Sequence, residues 1–415
     1  MSLLASLRSG TRSLSSIRAF STASVQRLYI QSNLQNDQSH PNLASPLDPK
    51  AKVYDFRSDT VTAPTDEMFD IMKSASRGDD VFQEDYNVND LEHYVASITG
   101  HEAGMFCASG TMSNQLGLRT HLQQPPHSVL CDHRSHVFLW EAGGISFHSQ
   151  ANVGPVYAHN GVHITAEEVI NNIVEEDLHT APTKVVSLEN TLNGMIFPIE
   201  EIKRISEHAR SRGIKMHLDG ARLWNAHQES GVPLSEYGRY FDSMSLCLSK
   251  GVGAPIGSIL VGESKFIRKS RHFRKLFGGG WRQAGGMAKV AKHCIQNIVP
   301  TMPETHKLAR RLAVELQAMG VTLTFPQMTN MVFINTASAG VTVNDILPAL
   351  LRRNIKIGGN GTTSRLVLHH QINDEAVDIL LDTMKDVIEH KKFLGAKPIS
   401  TPVSQQQDAV KAYKQ

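Results

Sequence analysis

The sequence has 415 residues (45.8 kDa), 40% of them apolar and 20% charged, which is enough for about two to three domains. This composition excludes a disordered, collagen-like or coiled-coil chain, and the absence of any apolar run of about 18 residues excludes a transmembrane helix. A formal net charge of +2 argues against a nucleic-acid partner. Four cysteines without a C-x-x-C pair argue against a disulfide scaffold and indicate a reducing compartment.

The N-terminal segment differs in composition from the rest of the chain. Residues 1–29 contain eight serines and four arginines, and the first acidic residue is Asp37. An arginine-rich, acid-poor start is typical of a transit peptide, and Arg18-Ala19-Phe20-Ser21 resembles a mitochondrial processing site. We therefore predict a transit peptide and linker over residues 1–50 and import into the mitochondrial matrix. A tail without a targeting role, and a cytoplasmic protein, are the alternatives.

From residue 51 to about 280, short apolar strands alternate with helical stretches of about a dozen residues. Strands are predicted at 103–108, 184–189, 214–219 and 243–248, and helices at 88–99, 111–122 and 199–212. Such alternation indicates βαβ units and a mostly parallel sheet covered by helices on both faces. The predicted fold class is therefore α/β, with a large domain over residues 51–280.

The pattern changes after the glycines at 278–280. Helices are predicted at 284–297, 304–319, 343–353 and 374–391, and strands at 321–325, 332–335 and 365–369. This arrangement indicates a smaller α+β domain over residues 281–395. The polar residues 396–415 are predicted to form a flexible tail.

A lysine follows the strand predicted at 243–248. Lys250 precedes Gly251, Gly253 and Gly257, which would let a planar ligand approach the backbone. A lysine that is shielded from water can lose its proton and attack an aldehyde, although a solvated loop lysine is the common alternative. The glycines are spaced one residue too far apart for a dinucleotide-binding turn, and no helix-forming stretch follows them, so we reject that interpretation.

Asp219 ends the strand predicted at 214–219, at the edge where open α/β sheets bind ligands. If the ligand is pyridoxal phosphate, a carboxylate here would hold the ring nitrogen protonated and make the ring an electron acceptor. Arg222 could then bind a substrate carboxylate through two parallel hydrogen bonds. Taken alone, this segment could also be a surface turn with a local ion pair.

Gly110 and Thr111 lie where the predicted strand at 103–108 passes into a helix. Backbone N–H groups and a hydroxyl at a helix N-terminus bind anions, and the lack of a P-loop lysine favours a phosphate monoester over a triphosphate. The sequence Ser-Gly-Thr is also a common helix cap, so this motif is weak by itself.

Histidines suggest a further contact and raise the question of a metal. His136 could stack on a planar cofactor, act as a base, or be a structural histidine. His133 with His136, or His159 with His163, could contribute to a metal site, but no third ligand has suitable spacing. We therefore predict no metal.

The order of these motifs is that of fold-type I pyridoxal-phosphate enzymes, and the chain resembles one family among them, the low-specificity L-threonine aldolases. The resemblance runs colinearly from Phe56 to about His370, over about three quarters of the chain. It is carried by DFRSDTVTAPT, GDDVFQED, SGTMSNQ, SHVFLWEAGG, SLENTLNG, LDGARLWNA, SLCLSKGVGAPIGS, GGGWRQAGG and SRLVLHH.

The resemblance implies a role for individual residues. Lys250 would form the Schiff base with pyridoxal phosphate, Asp219 would hold the ring nitrogen, and His136 would stack on the ring. The remaining roles are phosphate binding by Gly110, Thr111 and Arg282, the last from a neighbouring subunit, and binding of the amino-acid carboxylate by Ser58, Arg222 and Arg365. Members of the family are usually homotetramers with active sites at a dimer interface, and we expect the same here.

The resemblance also predicts the reaction, which is cleavage of L-threonine and L-allo-threonine to glycine and acetaldehyde. Leu192 and Phe82 replace a histidine and a tyrosine of many bacterial members, which leaves the handling of the β-hydroxyl and the threo/erythro preference open. The alternatives are another β-hydroxy amino acid, β-elimination on the same scaffold, or cofactor binding without turnover. Serine hydroxymethyltransferase is disfavoured, because its T-H-K run is absent from LCLSK.

Overall fold

The computed structural model describes residues 52–400. The predicted transit peptide lies outside the described residues, as do residues 401–415 of the predicted tail. The described strands are β1 (Tyr54–Asp55), β2 (Ala103–Cys107), β3 (Ser128–Asp132), β4 (Asn152–Val156), β5 (Thr183–Glu189), β6 (Lys215–Asp219), β7 (Ser243–Cys247), β8 (Ser258–Gly262), β9 (Thr322–Leu323), β10 (Met331–Asn335), β11 (Ile355–Lys356) and β12 (Thr363–Val367).

Helices connect most of these strands. They are α1 (Asp66–Lys73), α2 (Tyr86–Thr99), α3 (Gly110–His121), α4 (His136–Leu139), α5 (Gly144–Ser149), α6 (Ala166–Asn172), α7 (Ile199–Ser211), α8 (Leu223–Ser230), α9 (Leu234–Gly238), α10 (Ser264–Leu276), α11 (Gly285–Asn297), α12 (Met302–Ala318), α13 (Val343–Arg352) and α14 (Asp374–Phe393). Short 3₁₀ turns occur at Asp80–Phe82, Val299–Thr301 and Ala337–Ala339. Between residues 52 and 400, no helix has both the length and the apolar character to span a bilayer.

A seven-stranded sheet with the order β2-β8-β7-β6-β5-β3-β4 forms the centre of the larger part of the fold. Its strands are parallel from β7 to β4, whereas β8 is antiparallel to both β7 and β2. Every residue of β3, β7 and β8 is buried, because helices cover both faces. The predicted α/β class with a mostly parallel sheet is confirmed.

The strand register brings polar residues together at one edge of this sheet. Glu189 at the end of β5 pairs with Asp219 at the end of β6, and Asp219 pairs with Ser245 on β7. The two antiparallel pairings of β8 make β2 run in the same direction as β7. The start of α3, which follows β2, and the lysine loop after β7 therefore lie at this carboxyl edge.

A second, smaller sheet has the order β12-β10-β9, and β1 pairs separately with β11. The apolar sides of α12, α13 and α14 pack into a core cluster of their own, which also contains Tyr54 and Phe56. Helix α11 packs instead in the core of the large sheet, through Ala288, Ala291 and Cys294. The domain division at residue 280 stays a prediction.

Candidate active site

Lys250 lies in the loop that follows β7, where its carbonyl accepts a hydrogen bond from the N–H of Gly253 at 2.8 Å. Gly253 has a φ of +84°, and a Cβ added there would lie 2.6 Å from the His370 ring, so only glycine fits. The lysine side chain is half-buried. Its positive charge favours the ionised forms of Asp59 and Glu189 and so lowers the pKa of each. The sequence therefore placed this lysine correctly at the carboxyl edge of the sheet.

Asp219 has both carboxylate oxygens hydrogen-bonded. Its Oδ1 accepts from the N–H of Ala221 at 3.0 Å, and its Oδ2 accepts from Nδ2 of Asn114 at 2.9 Å. The residue is 2% exposed, so these donors take the place of water. The carboxylate is thereby held in one orientation at the end of β6.

His136 lies beside this carboxylate. Its Nδ1 is 2.9 Å from Oε1 of Glu141, and its backbone N–H donates to Oε2 of Glu189 at 2.7 Å. Burial lowers the pKa of His136, but the hydrogen bond to Glu141 and the charges of Asp219 and Glu189 outweigh it and raise the pKa to about 9. His136 is therefore a cation at neutral pH and donates from Nδ1.

One potential ligand atom from each of His136, Glu141 and Asp219 lies within 4.8 Å of the others, a spacing that metal sites also show. In this trio the carboxylates already accept hydrogen bonds, Glu141 from Asn114 and Gln115 and Asp219 from Asn114. We interpret the trio as a hydrogen-bonded part of the active site.

Glu189 is a site residue that the sequence analysis did not single out. Burial and the charge of Asp219 raise its pKa to about 8, although His136 and Lys250 oppose the shift. The signal available in the sequence was its place at the end of a buried strand, in the segment SLENTLNG. A carboxyl group with such a pKa can exchange a proton near neutral pH.

Arg222 forms a buried ion pair with Asp59. Its Nε donates to Oδ2 at 2.8 Å and its Nη2 donates to Oδ1 at 2.6 Å. Burial raises the pKa of Asp59, but the charges of Arg222, Lys250 and Arg365 outweigh it and lower the pKa to about 2. The two Arg222 nitrogens that face Asp59 thus already donate hydrogen bonds to its carboxylate. Binding of a substrate carboxylate by Arg222 stays a prediction.

Ser58 and Arg365 lie close to this ion pair. Nη2 of Arg365 on β12 donates to the carbonyl of Arg57 at 3.2 Å, and the Ser58 hydroxyl accepts from the N–H and hydroxyl of Thr60. The structure thus brings the N-terminal end of the described chain and β12 to the carboxyl edge of the large sheet. No motif in the sequence predicted that approach.

The helix that begins at Gly110 presents its N-terminus at the surface. Ser109 caps it by accepting from the N–H of Met112 at 3.1 Å, and Thr111 is exposed. Within the described residues, no hydrogen bond or ion pair joins Arg282 to this turn, since Arg282 bonds to Asp79 at 2.7 Å instead. The loop that precedes Arg282 does approach the first turn of this helix, because a Cβ added at Gly279 would lie 2.7 Å from Met112.

The two residues that depart from the bacterial pattern differ in their surroundings. Leu192 is 6% exposed and forms a β-bridge with Met195, whereas the side chain of Phe82 is largely exposed at 70%. A buried leucine offers a substrate hydroxyl no hydrogen bond.

The charges at this edge suit pyridoxal phosphate. The carboxylates of Asp219, Glu141 and Glu189 lie around His136, and burial and the charge of Asp219 raise the pKa of Glu189. A protonated ring nitrogen at Asp219 would offset this negative charge, Lys250 is an amine for an aldehyde, and the start of α3 suits a phosphate. The fold and these groups define the class of fold-type I pyridoxal-phosphate enzymes.

The family model of the beta-eliminating lyases matches residues 55–339, and the chain belongs to this family. It is 46% identical over 341 residues to the low-specificity L-threonine aldolase of Eremothecium gossypii, covering 81% of this chain and 88% of that protein. It is 35% identical over 344 residues to alanine racemase TOXG of Cochliobolus carbonum, covering 81% and 87%. A solved structure of Leishmania major threonine aldolase has the same fold, with a TM-score of 0.70 and 18% identity over 81% of this chain and 99% of that one.

Proposed function

We propose that the chain is a pyridoxal-phosphate-dependent aldolase that cleaves L-threonine and L-allo-threonine to glycine and acetaldehyde. The observation that carries the proposal is the high similarity to an L-threonine aldolase across the whole described fold, together with Lys250 and Asp219 at one sheet edge. Bound there, pyridoxal phosphate supplies a ring that accepts the electrons released when the Cα–Cβ bond breaks.

The residues that would hold the cofactor form two groups. Lys250 would bind its aldehyde carbon, Asp219 its ring nitrogen, and His136 one face of the ring. Gly110 and Thr111 would bind the phosphate through the N-terminus of α3, with Arg282 as a further phosphate ligand. Asn114 and Ala221 keep the Asp219 carboxylate oriented.

The substrate carboxylate would bind where Ser58, Arg222 and Arg365 meet. Asp59 holds the Arg222 guanidinium in place, and the positive charges of Arg222, Lys250 and Arg365 all act on Asp59. This local positive charge favours an amino-acid carboxylate. With the α-amino group bound at the cofactor and the carboxylate held here, the L configuration is the one we expect to place Cβ for cleavage.

The β-hydroxyl must lose its proton when the bond breaks. His136 is cationic at neutral pH, and its Nδ1 is bonded to Glu141, so it is not the acceptor. Glu189 lies beside His136 and Asp219, and its pKa of about 8 leaves a minor fraction ionised at neutral pH that grows as the pH rises. We assign proton uptake to this ionised fraction of Glu189, directly or through one water.

The racemase TOXG gives a reason to test a second reaction. Its similarity extends over the same part of this chain, so the scaffold of the family is compatible with reactions that leave Cα–Cβ intact. Removal of the α-proton would use the same lysine and aspartate. Two related alternatives to threonine cleavage are action on another β-hydroxy amino acid and β-elimination.

We also propose mitochondrial import and assembly into a homotetramer with active sites at a dimer interface. The composition of residues 1–29 supports import, and the largely exposed Arg282 and the open start of α3 suit contact with a second subunit. Deletion of residues 1–50 should abolish import in cells and leave the activity and the tetramer of the purified protein unchanged.

The test of the proposed reaction is a product assay with purified protein and added pyridoxal phosphate. L-Threonine, L-allo-threonine, L-serine, D-threonine and L-alanine are incubated separately, and glycine, aldehyde and optical rotation are followed. We expect glycine and acetaldehyde from both L-threonine diastereomers. Racemisation of alanine without glycine formation from either diastereomer would replace the aldolase by the second reaction.

A further inference from the structure

Asn114 on α3 connects two carboxylates of the active site. Its Nδ2 donates one hydrogen to Oδ2 of Asp219 and the other to Oε1 of Glu141, each at 2.9 Å. Asn114 is 1% exposed, so water cannot replace these bonds. A single amide therefore orients both the carboxylate assigned to the ring nitrogen and the carboxylate that bonds to His136.

Further buried side chains fix the orientation of this amide through hydrogen bonds. Nε2 of His217 lies 3.1 Å from Oδ1 of Asn114, and its Nδ1 lies 2.8 Å from the hydroxyl of Ser243. Because Asn114 uses its Nδ2 as the donor, its Oδ1 must accept, and Nε2 of His217 must carry the hydrogen. The hydroxyl of Ser243 then donates to His217 and accepts from Nε2 of His121, 2.8 Å away.

The protonation states agree with this direction of hydrogen bonding. Burial, together with the neighbouring His121, lowers the pKa of His217 to about 3, and burial lowers the pKa of His121 to about 4. Both rings are therefore neutral at physiological pH, each with one N–H donor. Each hydrogen bond in the series that runs from His121 through Ser243, His217 and Asn114 to Asp219 then joins one donor to one acceptor.

The His217 ring is also fixed sterically. A Cβ added at Gly117, one turn after Asn114 on α3, would lie 2.7 Å from Cε1 of His217. Glycine at this position lets the helix approach β6 closely enough for the bond between Asn114 and His217.

Several ionisable groups surround the Asp219 carboxylate. Glu189 faces it from β5, and His136 and Glu141 face it from the segment after β3. His217 lies on the same strand as Asp219 and is neutral, and Arg222, three residues after Asp219, is paired with Asp59. The Asn114 amide thus holds the Asp219 carboxylate in one orientation among these groups.

We propose that Asn114 and His217 are positioning residues that act through Asp219, orienting its carboxylate toward the cofactor ring nitrogen. This inference rests on the proposed function in one respect, namely that pyridoxal phosphate is the cofactor.

The test is the dissociation constant of pyridoxal phosphate from the cofactor-free protein. Asn114→Ala should weaken binding about 10- to 100-fold, the range for loss of a buried donor to a carboxylate. Without the amide, the Asp219 carboxylate is no longer held in one orientation toward the ring nitrogen. With cofactor at saturation, kcat for L-threonine should fall more than KM rises.

Gln115→Ala is the matched control, because Gln115 donates to Oε2 of Glu141 and makes no bond to Asp219. It should leave the affinity for pyridoxal phosphate close to that of the wild type. His217→Phe keeps a ring and removes both nitrogens, and it should act in the same direction as Asn114→Ala with a smaller effect. Thermal unfolding of each cofactor-free variant identifies any loss of fold.

A double-mutant cycle with Asp219→Asn decides whether the effect passes through Asp219. If it does, Asn114→Ala should cause no further loss of affinity in the Asp219→Asn background. Additive losses, or equal effects of Asn114→Ala and Gln115→Ala on the affinity for pyridoxal phosphate, would overturn the proposal. Binding is measured without amino acid, so a wild-type protein that binds the cofactor but leaves L-threonine intact would refute the proposed reaction and not this inference.

Discussion

Asp59 and Arg222 are 163 residues apart in the chain and form two hydrogen bonds of 2.6 and 2.8 Å in the interior of the protein. Their side chains are 0% and 5% exposed, and Asn330 also approaches Asp59 at 3.4 Å. The pair joins the segment after β1 to the loop after β6. It therefore links the integrity of the fold to the place assigned to the substrate carboxylate.

Replacing Asp59 should affect stability and activity together. Asp59→Asn removes the charge that pairs with the buried Arg222 guanidinium, and breaking a buried ion pair typically costs about 3–5 kcal/mol. The pKa of Asp59 is lowered to about 2 from its usual 3.8, so the stability it contributes is present above pH 3.8 and is lost as the pH falls through 2.

Urea unfolding at pH 7 measures this cost, with Asp55→Asn as the control. Asp55 pairs with Arg57, whose side chain is 48% exposed, and its removal should cost no more than about 1 kcal/mol. The kcat/KM for L-threonine should fall in Asp59→Asn, because Arg222 is no longer held. Equal stabilities of the two variants would contradict the assigned role of this pair.

Glu141→Gln should change how the stability of the cofactor-free protein depends on pH. The pKa of His136 is raised to about 9 from 6.5, so its contribution to stability is fully present below pH 6.5 and is lost as the pH rises to 9. In the variant the pKa of His136 should be raised less. Its free energy of unfolding should therefore fall less than that of the wild type between these pH values, by about 1–3 kcal/mol.

The free energy of unfolding at pH 6.5 and pH 9 gives this difference directly. Glu189 also loses stability over part of the range, because its pKa is raised to about 8, but it does so in both proteins. Parallel pH profiles for the variant and the wild type would show that Glu141 does not set the charge of His136.

Glu189→Gln should remove the proposed proton acceptor. The amide keeps the size of the side chain and cannot take up the hydroxyl proton, so kcat for L-threonine should fall about 10²- to 10⁴-fold. Cofactor binding should persist, which absorbance in the visible range would show. Glu168→Gln, at an exposed contact with His159 away from the site, is the matched control. A kcat within a few-fold of the wild type would assign the proton to another group.

Leu192 should determine how weakly the two threonine diastereomers are distinguished. We expect the bound α-amino group and carboxylate to select the L configuration at Cα, but discrimination at Cβ needs a group that contacts the hydroxyl, and Leu192 offers none. Apolar contacts alone discriminate by about 1–3 kcal/mol, so both diastereomers should be cleaved, and Leu192→His should shift their ratio.

Competing assays with the two diastereomers measure this ratio, and Leu192→Met is the control for size. D-Threonine should be inert with all three proteins. If one diastereomer were cleaved at less than about a thousandth of the kcat/KM of the other, some other residue would recognise the hydroxyl.

The residues that could be predicted from sequence lie at or just after the ends of strands. Asp219 ends one predicted strand and Lys250 follows another, and parallel strands bring such ends to one edge. Helix ends were predicted closely where a glycine stops the helix, as at Gly100 with its φ of +73°. Local patterns of this kind are sufficient for the fold class.

Contacts between distant segments could not be predicted in this way. The antiparallel strand β8, a short apolar run, has no periodicity that separates it from a buried helix. Glu189 and Asn114 lie in the segments SLENTLNG and SGTMSNQ that carry the resemblance, but their roles depend on the register of β5 with β6 and on the approach of α3. The pairing of Asp59 with Arg222 likewise depends on tertiary structure alone.

The most direct test of the account is the location of the cofactor on the chain. Purified protein is incubated with pyridoxal phosphate, reduced with borohydride, digested and mapped by mass spectrometry, with Lys250→Ala and the exposed Lys265→Ala compared in parallel. The account predicts a pyridoxyl group on Lys250 in the wild type and in Lys265→Ala, and none in Lys250→Ala, which should also fail to release glycine from L-threonine. A pyridoxyl group on another lysine, or glycine release by Lys250→Ala at the wild-type rate, would contradict it.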